Sequence, residues 1–157
     1  MQKITPFLWF DKEAEEAAHF YVSIFQNSKI LEVSRYGEGT PFPAGAVMVV
    51  KFQLEGQEYM ALNGFQEYPF TQAVSLVVNC TTQKEVDHYW DKLLVGGGAP
   101  IACGWLRDKY GFYWQVTPTA LSHYLQDKDK AKAQRVMAAM IQMVKLDIAV
   151  LKKAYDG

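Results

Sequence analysis

The chain is poor in the residues that metal and redox chemistry depend on. It has two cysteines, Cys80 and Cys103, and three histidines among 157 residues. Two cysteines this far apart make neither a disulfide framework nor a spaced metal motif. Blocks of one charge are also missing. Sixteen basic residues face seventeen acidic ones, for a net charge of −1. Phosphate binding needs clustered Lys and Arg, so nucleic acid is not an expected partner. Nor is there a long hydrophobic run. The apolar stretch Ile4 to Phe10 is short, contains Pro6 and meets acidic residues at once. It reads as neither a signal peptide nor a spanning helix, so no membrane partner is expected. With no export signal, the expectation is a cytoplasmic protein with reduced thiols.

What the chain does have is apolar and aromatic mass, 50% hydrophobic and 14% aromatic. That is ample for one ordinary domain. Ile4 to Phe10 reads as a buried strand. Asp11 stands where it can cap a helix over Glu13 to Phe25, in which Ala17, Phe20, Tyr21, Ile24 and Phe25 recur at helical spacing. Ile30 to Tyr36 suits a strand, and Gly37 to Gly45, with two prolines and three glycines, suits a loop. Ala46 to Leu54 and Tyr59 to Leu62 form a hairpin about Glu55-Gly56.

The pattern then begins again. Val74 to Asn79 reads as a strand, Thr82 to Leu94 as a helix and Gly96-Gly97-Gly98 as a break. Trp105 to Asp108 and Phe112 to Thr117 form a hairpin about Tyr110-Gly111. The halves align at an offset of 69, with Phe10 on Asn79, Ala17 on Val86, Phe20-Tyr21 on Tyr89-Trp90 and Phe25 on Leu94. This order, β-α-β-β-β twice, indicates a duplicated module. The expected organisation is one domain over 1–157, with modules at 1–70 and 71–118 and a helical extension at 119–157. In that extension Met137, Met140, Val144, Ile148 and Leu151 form an apolar stripe along a helix expected from Ala131 to Tyr155. The stripe is broad enough to serve either internal packing or a second subunit.

Several segments carry a family likeness. Leu8-Trp9-Phe10, Glu16-Ala17 and Phe20-Tyr21 resemble the opening of the vicinal oxygen chelate superfamily of glyoxalases, bleomycin-resistance proteins and extradiol dioxygenases. Phe52-x-Leu-x-Gly56, Ala61-Leu62-Asn63-Gly64, Ser75 through Cys80, Glu85-Val86-Asp87, Cys103-Gly104-Trp105 and Trp114-Gln115 resemble its PhnB-like branch. The tail around Met140, Met143, Lys145-Leu146-Asp147 and Leu151 also fits. The resemblance implies an α+β fold of two βαβββ modules forming a cup-shaped mixed sheet, a long C-terminal helix and a homodimer. Members of the branch are often labelled 3-demethylubiquinone-9 3-methyltransferases.

The sequence supports neither of the chemistries attached to those names. A doubly wound methyltransferase needs a glycine-rich turn between a strand and the following helix. Gly96-Gly97-Gly98 instead follows a helix and reads as its C-terminal cap. The resemblance also implies a divalent metal held by His on the first strand of each module and Glu or His on the last. Here Ile4 to Phe10 offers only Thr5, Val74 to Asn79 only Ser75 and Asn79, and the last strands present Met60 and Gln115. Amides and hydroxyls bind transition metals weakly, so neither metal nor cofactor is expected. His19 and His88, at matched positions of the two helices, read as exposed, and His123 follows Pro118 in a polar segment.

Three readings remain. The first is a metal-free module binding a small-molecule ligand among Trp9, Tyr36, Asn63, Trp105, Tyr113 and Gln115. In this reading Gln115 points inward, because it stands where the resemblance would place a metal ligand. The second is an enzyme on a small metabolite. Its candidate nucleophile is Cys103, with Arg107 nearby to favour the thiolate. No histidine is near Cys103 in sequence, and Arg107-Asp108 equally reads as a surface ion pair. The third is a structural dimer whose cup is filled by its own side chains. The absence of an acid–base pair inclines the balance to the binding module.

Overall fold

The computed structural model describes residues 2–157. Its elements run β1 (Phe7–Phe10), α1 (Ala14–Ile24), β2 (Lys29–Arg35), β3 (Val47–Leu54), β4 (Gln57–Asn63), β5 (Ser75–Cys80), α2 (Gln83–Leu94), β6 (Ala99–Pro100), β7 (Trp105–Arg107) and β8 (Tyr113–Pro118). Three helices follow, α3 (Thr119–Leu125), α4 (Lys130–Ile141) and α5 (Ile148–Asp156). The chain forms two compact units, the first ending at Pro69 and the second running from Phe70 to Gly157. Each holds a four-stranded mixed sheet, in the orders β1-β4-β3-β2 and β5-β8-β7-β6. In both, the first and last strands of the module pair in parallel and the rest are antiparallel. The repeated β-α-β-β-β order read from the sequence is therefore the fold.

In the first unit, α1 lies on β3 and β4. Its buried residues, Ala14, Ala17, Ala18, Tyr21 and Ile24, are mostly small, which lets the helix sit close to the sheet. Beneath it lie the alternate residues Val50, Phe52 and Leu54 of β3 and Tyr59 and Ala61 of β4, each buried. Burying a side chain of this size contributes about 1.5–3 kcal/mol. The start of α1 departs from the expected cap. Asp11 does not cap it, and Glu13, at the N-cap position, makes no side-chain cap. The Asn63 Oδ1 of β4 instead accepts a 2.8 Å bond from the Ala14 backbone N–H. The Asp11 carbonyl is engaged elsewhere, accepting from the Phe65 N–H.

In the second unit, Val86, Trp90 and Leu93 of α2 are buried. They meet the alternate residues Trp114 and Val116 of β8, Leu106 of β7, and Val78 and Cys80 of β5. Thr82 and Glu85 close a reciprocal capping box at the helix start. The register of the duplication is not constant, as the sequence alignment had it. Buried Leu8 and Phe10 correspond to Val78 and Cys80, an offset of 70, because Leu8 pairs with Ala61 and Val78 with Val116. The helices keep the offset of 69, with Ala17, Tyr21 and Ile24 matching Val86, Trp90 and Leu93. Phe10 thus corresponds to Cys80 and not Asn79, and the second module reaches its helix one residue sooner.

The extension is helical, but the stretch from Ala131 to Tyr155 is not one helix. It is divided between α4 and α5 by residues 142–147. The backbone there bonds outward: the Cys103 and Gly104 N–H groups donate to the Met143 and Val144 carbonyls at 2.9 and 2.8 Å. The Gln83 side chain donates to the Leu146 carbonyl and accepts from the Ile148 N–H, and Asp147 caps α5. Gly104, at φ +83, faces Leu146 so closely that a Cβ would lie 2.9 Å from its Cδ1. No glycine or proline marks this break, which is why the apolar periodicity ran through it. Leu121, Val136, Leu146 and Leu151 form a small core with Met140, Met143 and Tyr155 against it. Part of the expected stripe is therefore used internally, while Met137, Ile141, Val144 and Val150 remain exposed.

Candidate functional site

Alternation divides each sheet into a helix-facing side and an open side. In β8 the helix-facing set is Trp114, Val116 and Pro118, so Tyr113, Gln115 and Thr117 share the open side, half-buried. Cross-strand pairing extends that side in rows. Arg107 pairs with Tyr113, and Tyr113 with Ser75; Trp105 pairs with Gln115, and Gln115 with Val77. Paired residues of one face have Cβ atoms about 4.5–5.5 Å apart, so these side chains adjoin. The Gln115 Nε2 donates to the Ser75 Oγ at 2.9 Å, which orients the amide along the sheet. Trp105 and Tyr113 flank it, each half-buried. Arg107 is exposed on the same face, between Tyr113 of β8 and Ala99 of β6.

The expected site residues of the first unit are held within the fold. Asn63 is buried, and its amide accepts from the Ala14 N–H and donates to the Val47 carbonyl. It supports α1 and is committed to backbone partners inside the fold. Tyr36 is buried between Phe42 and Phe65, ring centroids 4.5 and 5.9 Å away, and its hydroxyl donates to the Asn63 carbonyl at 2.7 Å. Trp9 lies on the open side of the first sheet, but its Nε1–H donates to the Gln66 carbonyl at 2.8 Å and its ring meets Tyr68 edge-on. Gly64 exists for this ring, since a Cβ there would lie 2.0 Å from the Trp9 Cζ2. The structure thus brings together Trp105, Tyr113 and Gln115, and places Trp9, Tyr36 and Asn63 in structural contacts.

Cys103 occupies a tight turn at φ +57, half-buried, with its N–H bonded to the Met143 carbonyl. Cys80 lies at the helix-facing end of β5, and burial pushes its thiol up to about 11, with the Glu85 carboxylate adding to the effect. A thiol so placed is inert at neutral pH. Asp108 corrects another expectation. It is not at the surface but 1% exposed, accepting from the Tyr110 and Phe112 N–H groups and from the Trp114 Nε1–H at 2.8 Å. An aspartate opening the Tyr110-Gly111 turn is the signal for this role, since Asp side chains commonly bond the backbone two residues on. Ser75 and the placement of Arg107 on the open face also escaped the sequence reading, though strand alternation carries both.

The fold's implied metal does not fit. On the open sides of the first and last strands the one carboxylate is Glu58, beside the turn at the start of β4, while Phe7, Trp9, Met60, Ser75, Val77, Asn79 and Gln115 supply neither imidazole nor carboxylate to join it. Among the described residues no three His, Cys, Asp or Glu side chains gather where they would hold an ion. His19, His88 and His123 lie exposed on α1, α2 and α3. No helix of the described residues is long and apolar enough to cross a membrane.

Comparison with known proteins agrees with this geometry. A family model described as 3-demethylubiquinone-9 3-methyltransferase matches residues 2–117, ending one residue short of the end of β8. A PhnB protein from Bacillus cereus, provisionally named as a 3-demethylubiquinone-9 3-methyltransferase, is 42% identical over 75% of this chain and 100% of its own, at a TM-score of 0.69. Protein PA1353 from Pseudomonas aeruginosa shares the fold at 20% identity and a TM-score of 0.61, over 75% of this chain and 98% of its own. A glyoxylase/bleomycin resistance protein/dioxygenase domain from Frankia sp. is 13% identical over 75% of this chain and 92% of its own, at a TM-score of 0.48. Among curated proteins none is similar enough to match. Two βαβββ modules, a matched segment covering most of the chain and a PhnB relative at 42% identity lead to one conclusion: the chain belongs to the PhnB-like, 3-demethylubiquinone-9 3-methyltransferase family.

Proposed function

We propose that this protein is a small-molecule-binding module, its ligand lying on the open face of the second sheet without a metal. The observation that supports this is half-buried Gln115 between half-buried Trp105 and exposed Val77, with half-buried Tyr113 beside it, none engaged by a covering helix. An aromatic wall with one oriented amide is the usual make-up of a small-molecule site. A general acid or base is not part of this set, which favours binding over catalysis.

The family name suggests methyl transfer, and the topology gives that reading no support. Its sheets are mixed, and Gly96-Gly97-Gly98 lies between α2 and β6, not between a strand and the helix that follows it. A phosphate-cradling turn requires the opposite order. Association with a second copy, implied by the family resemblance, belongs to this proposal and is read by sedimentation.

The test is titration with the neutral aromatic probe 2-naphthamide, followed by tryptophan fluorescence and calorimetry. Saturable binding that falls at least tenfold in Trp105→Leu, and not in Trp9→Phe, supports the proposal. Absence of saturable binding by both this probe and its anionic counterpart 2-naphthoate, or equal binding by Trp105→Leu, overturns it.

A further inference from the structure

Arg107 is the one charged residue on the strands of the second sheet. It is exposed on the open face, one strand position from Trp105 on the same side and directly across from Tyr113. Among the described residues it makes no salt bridge, whereas Lys51 is paired with Glu32 and Lys145 with Asp87, each at 2.8 Å. The neighbours that alternation and pairing place on its face are Ser75, Val77, Asn79, Ala99, Trp105, Tyr113, Gln115 and Thr117. None is acidic. The nearest carboxylate in sequence, Asp108, points to the helix-facing side and is held by the Tyr110, Phe112 and Trp114 N–H groups. This face therefore carries a single positive charge without an internal counter-charge, next to an indole and a phenol.

Resting on the binding function proposed above, we propose that the ligand is a planar aromatic monocarboxylate, its ring against Trp105 and its carboxylate on the Arg107 guanidinium. The guanidinium offers two parallel N–H donors that match a carboxylate's two oxygens. The Tyr113 hydroxyl and the Ser75–Gln115 pair supply neutral polar contacts beside it. The charge count selects the class. One cation balances a monoanion, while a phosphate or phosphonate dianion would leave excess negative charge on a half-buried surface, at a desolvation cost. A neutral aromatic would forgo the charge-assisted pair with Arg107, and a cationic one would be repelled.

The test compares 2-naphthoate with 2-naphthamide, which share shape and ring and differ in charge. Wild type is expected to bind naphthoate about tenfold more tightly, the scale of one charge-assisted hydrogen-bonded contact. Arg107→Gln should erase that preference, weakening naphthoate far more than naphthamide, and Arg107→Lys should restore only part of it because the fork is lost. Raising sodium chloride from low to high concentration should weaken naphthoate alone. Equal binding of both probes, with Trp105→Leu weakening both, overturns the carboxylate proposal and leaves the binding function standing. Naphthoate preference that survives Arg107→Gln also overturns it. Failure of both probes to bind overturns both proposals, and naphthophosphonate binding more tightly than naphthoate overturns the monoanion assignment.

Discussion

Asp108 is the most informative single position to perturb, because its role rests on geometry alone. Its Oδ1 accepts from the Tyr110 and Phe112 N–H groups at 2.9 and 3.0 Å, and its Oδ2 from the Trp114 indole at 2.8 Å. The Phe112 and Trp114 donors are buried and the Tyr110 donor is partly so. Asp108→Ala strands the two buried donors. An unsatisfied buried donor costs about 1–3 kcal/mol, so a loss of about 3–5 kcal/mol is expected after the loop relaxes. That is a large share of a domain stability of about 5–15 kcal/mol. Asp108→Asn keeps one oxygen for the loop amides but turns an NH₂ toward the indole N–H, so about 1–3 kcal/mol is expected. The decisive measurement is a double-mutant cycle with Trp114→Phe, by urea unfolding at constant m. Phenylalanine has no N–H, so the cost of Asp108→Asn should shrink by about 1–2 kcal/mol in that background. An unchanged cost, or an Asp108→Ala penalty below about 1 kcal/mol, refutes the assignment.

Other positions give sharp outcomes. Asn63→Ala should destabilise by about 2–4 kcal/mol, since it removes the acceptor for the buried Ala14 N–H and the donor to the Val47 carbonyl. Amide exchange at the start of α1 should rise more than in α2, and uniform exchange across both would count against the role. Gly64→Ala places a Cβ within the Trp9 ring, so it should cost about 1–3 kcal/mol and shift the fluorescence of that indole. A variant with wild-type stability and spectrum would contradict the contact. Cys80, with its thiol raised to about 11, should resist a thiol reagent at pH 8 while half-buried Cys103 reacts. The sign for stability follows from the fold favouring the neutral thiol. That contribution is full below the ordinary thiol value near 9.0 and is lost as pH rises toward about 11, and Cys80→Ala should flatten this alkaline decline.

The alternation and helical spacing in the sequence carried most of the fold. Ala17, Tyr21 and Ile24 in α1, and Val86, Trp90 and Leu93 in α2, mark the buried faces that a period of 3.6 predicts. Tyr113, Gln115 and Thr117 fall on one side of β8 as a period of two requires. What escaped the sequence was long-range. The break between α4 and α5 is set by backbone bonds from Cys103 and Gly104 to Met143 and Val144, forty residues away in sequence. The roles of Asn63 and Tyr36 depend on partners in α1, β3 and the loop carrying Phe42, which composition does not locate. Amides and aromatics look alike in sequence whether they face a ligand or a neighbouring backbone. For this reason the half of the candidate site on the second sheet came together and the half on the first did not.

The two modules also show how one fold is specified twice by different means. Asn63 and Pro118 are equivalent positions, since Phe10 pairs with Asn63 and Cys80 with Pro118. In the first module the end of the last strand reaches across to cap α1, and the residues before that helix provide no side-chain cap. A proline at the equivalent place has no side-chain acceptor, so the second module must cap its helix locally. Thr82 and Glu85 do so, the Thr82 Oγ1 accepting from the Glu85 N–H and the Glu85 carboxylate accepting from the Thr81 and Thr82 N–H groups. Those bonds hold the Glu85 carboxyl below the usual carboxylate range. The one residue missing between β5 and α2 fits the same difference, because a local capping box brings the helix start directly after the strand. Each module thus satisfies the same unpaired helix-start N–H groups, one through tertiary structure and the other through sequence. Only the second solution could be read without knowing the fold.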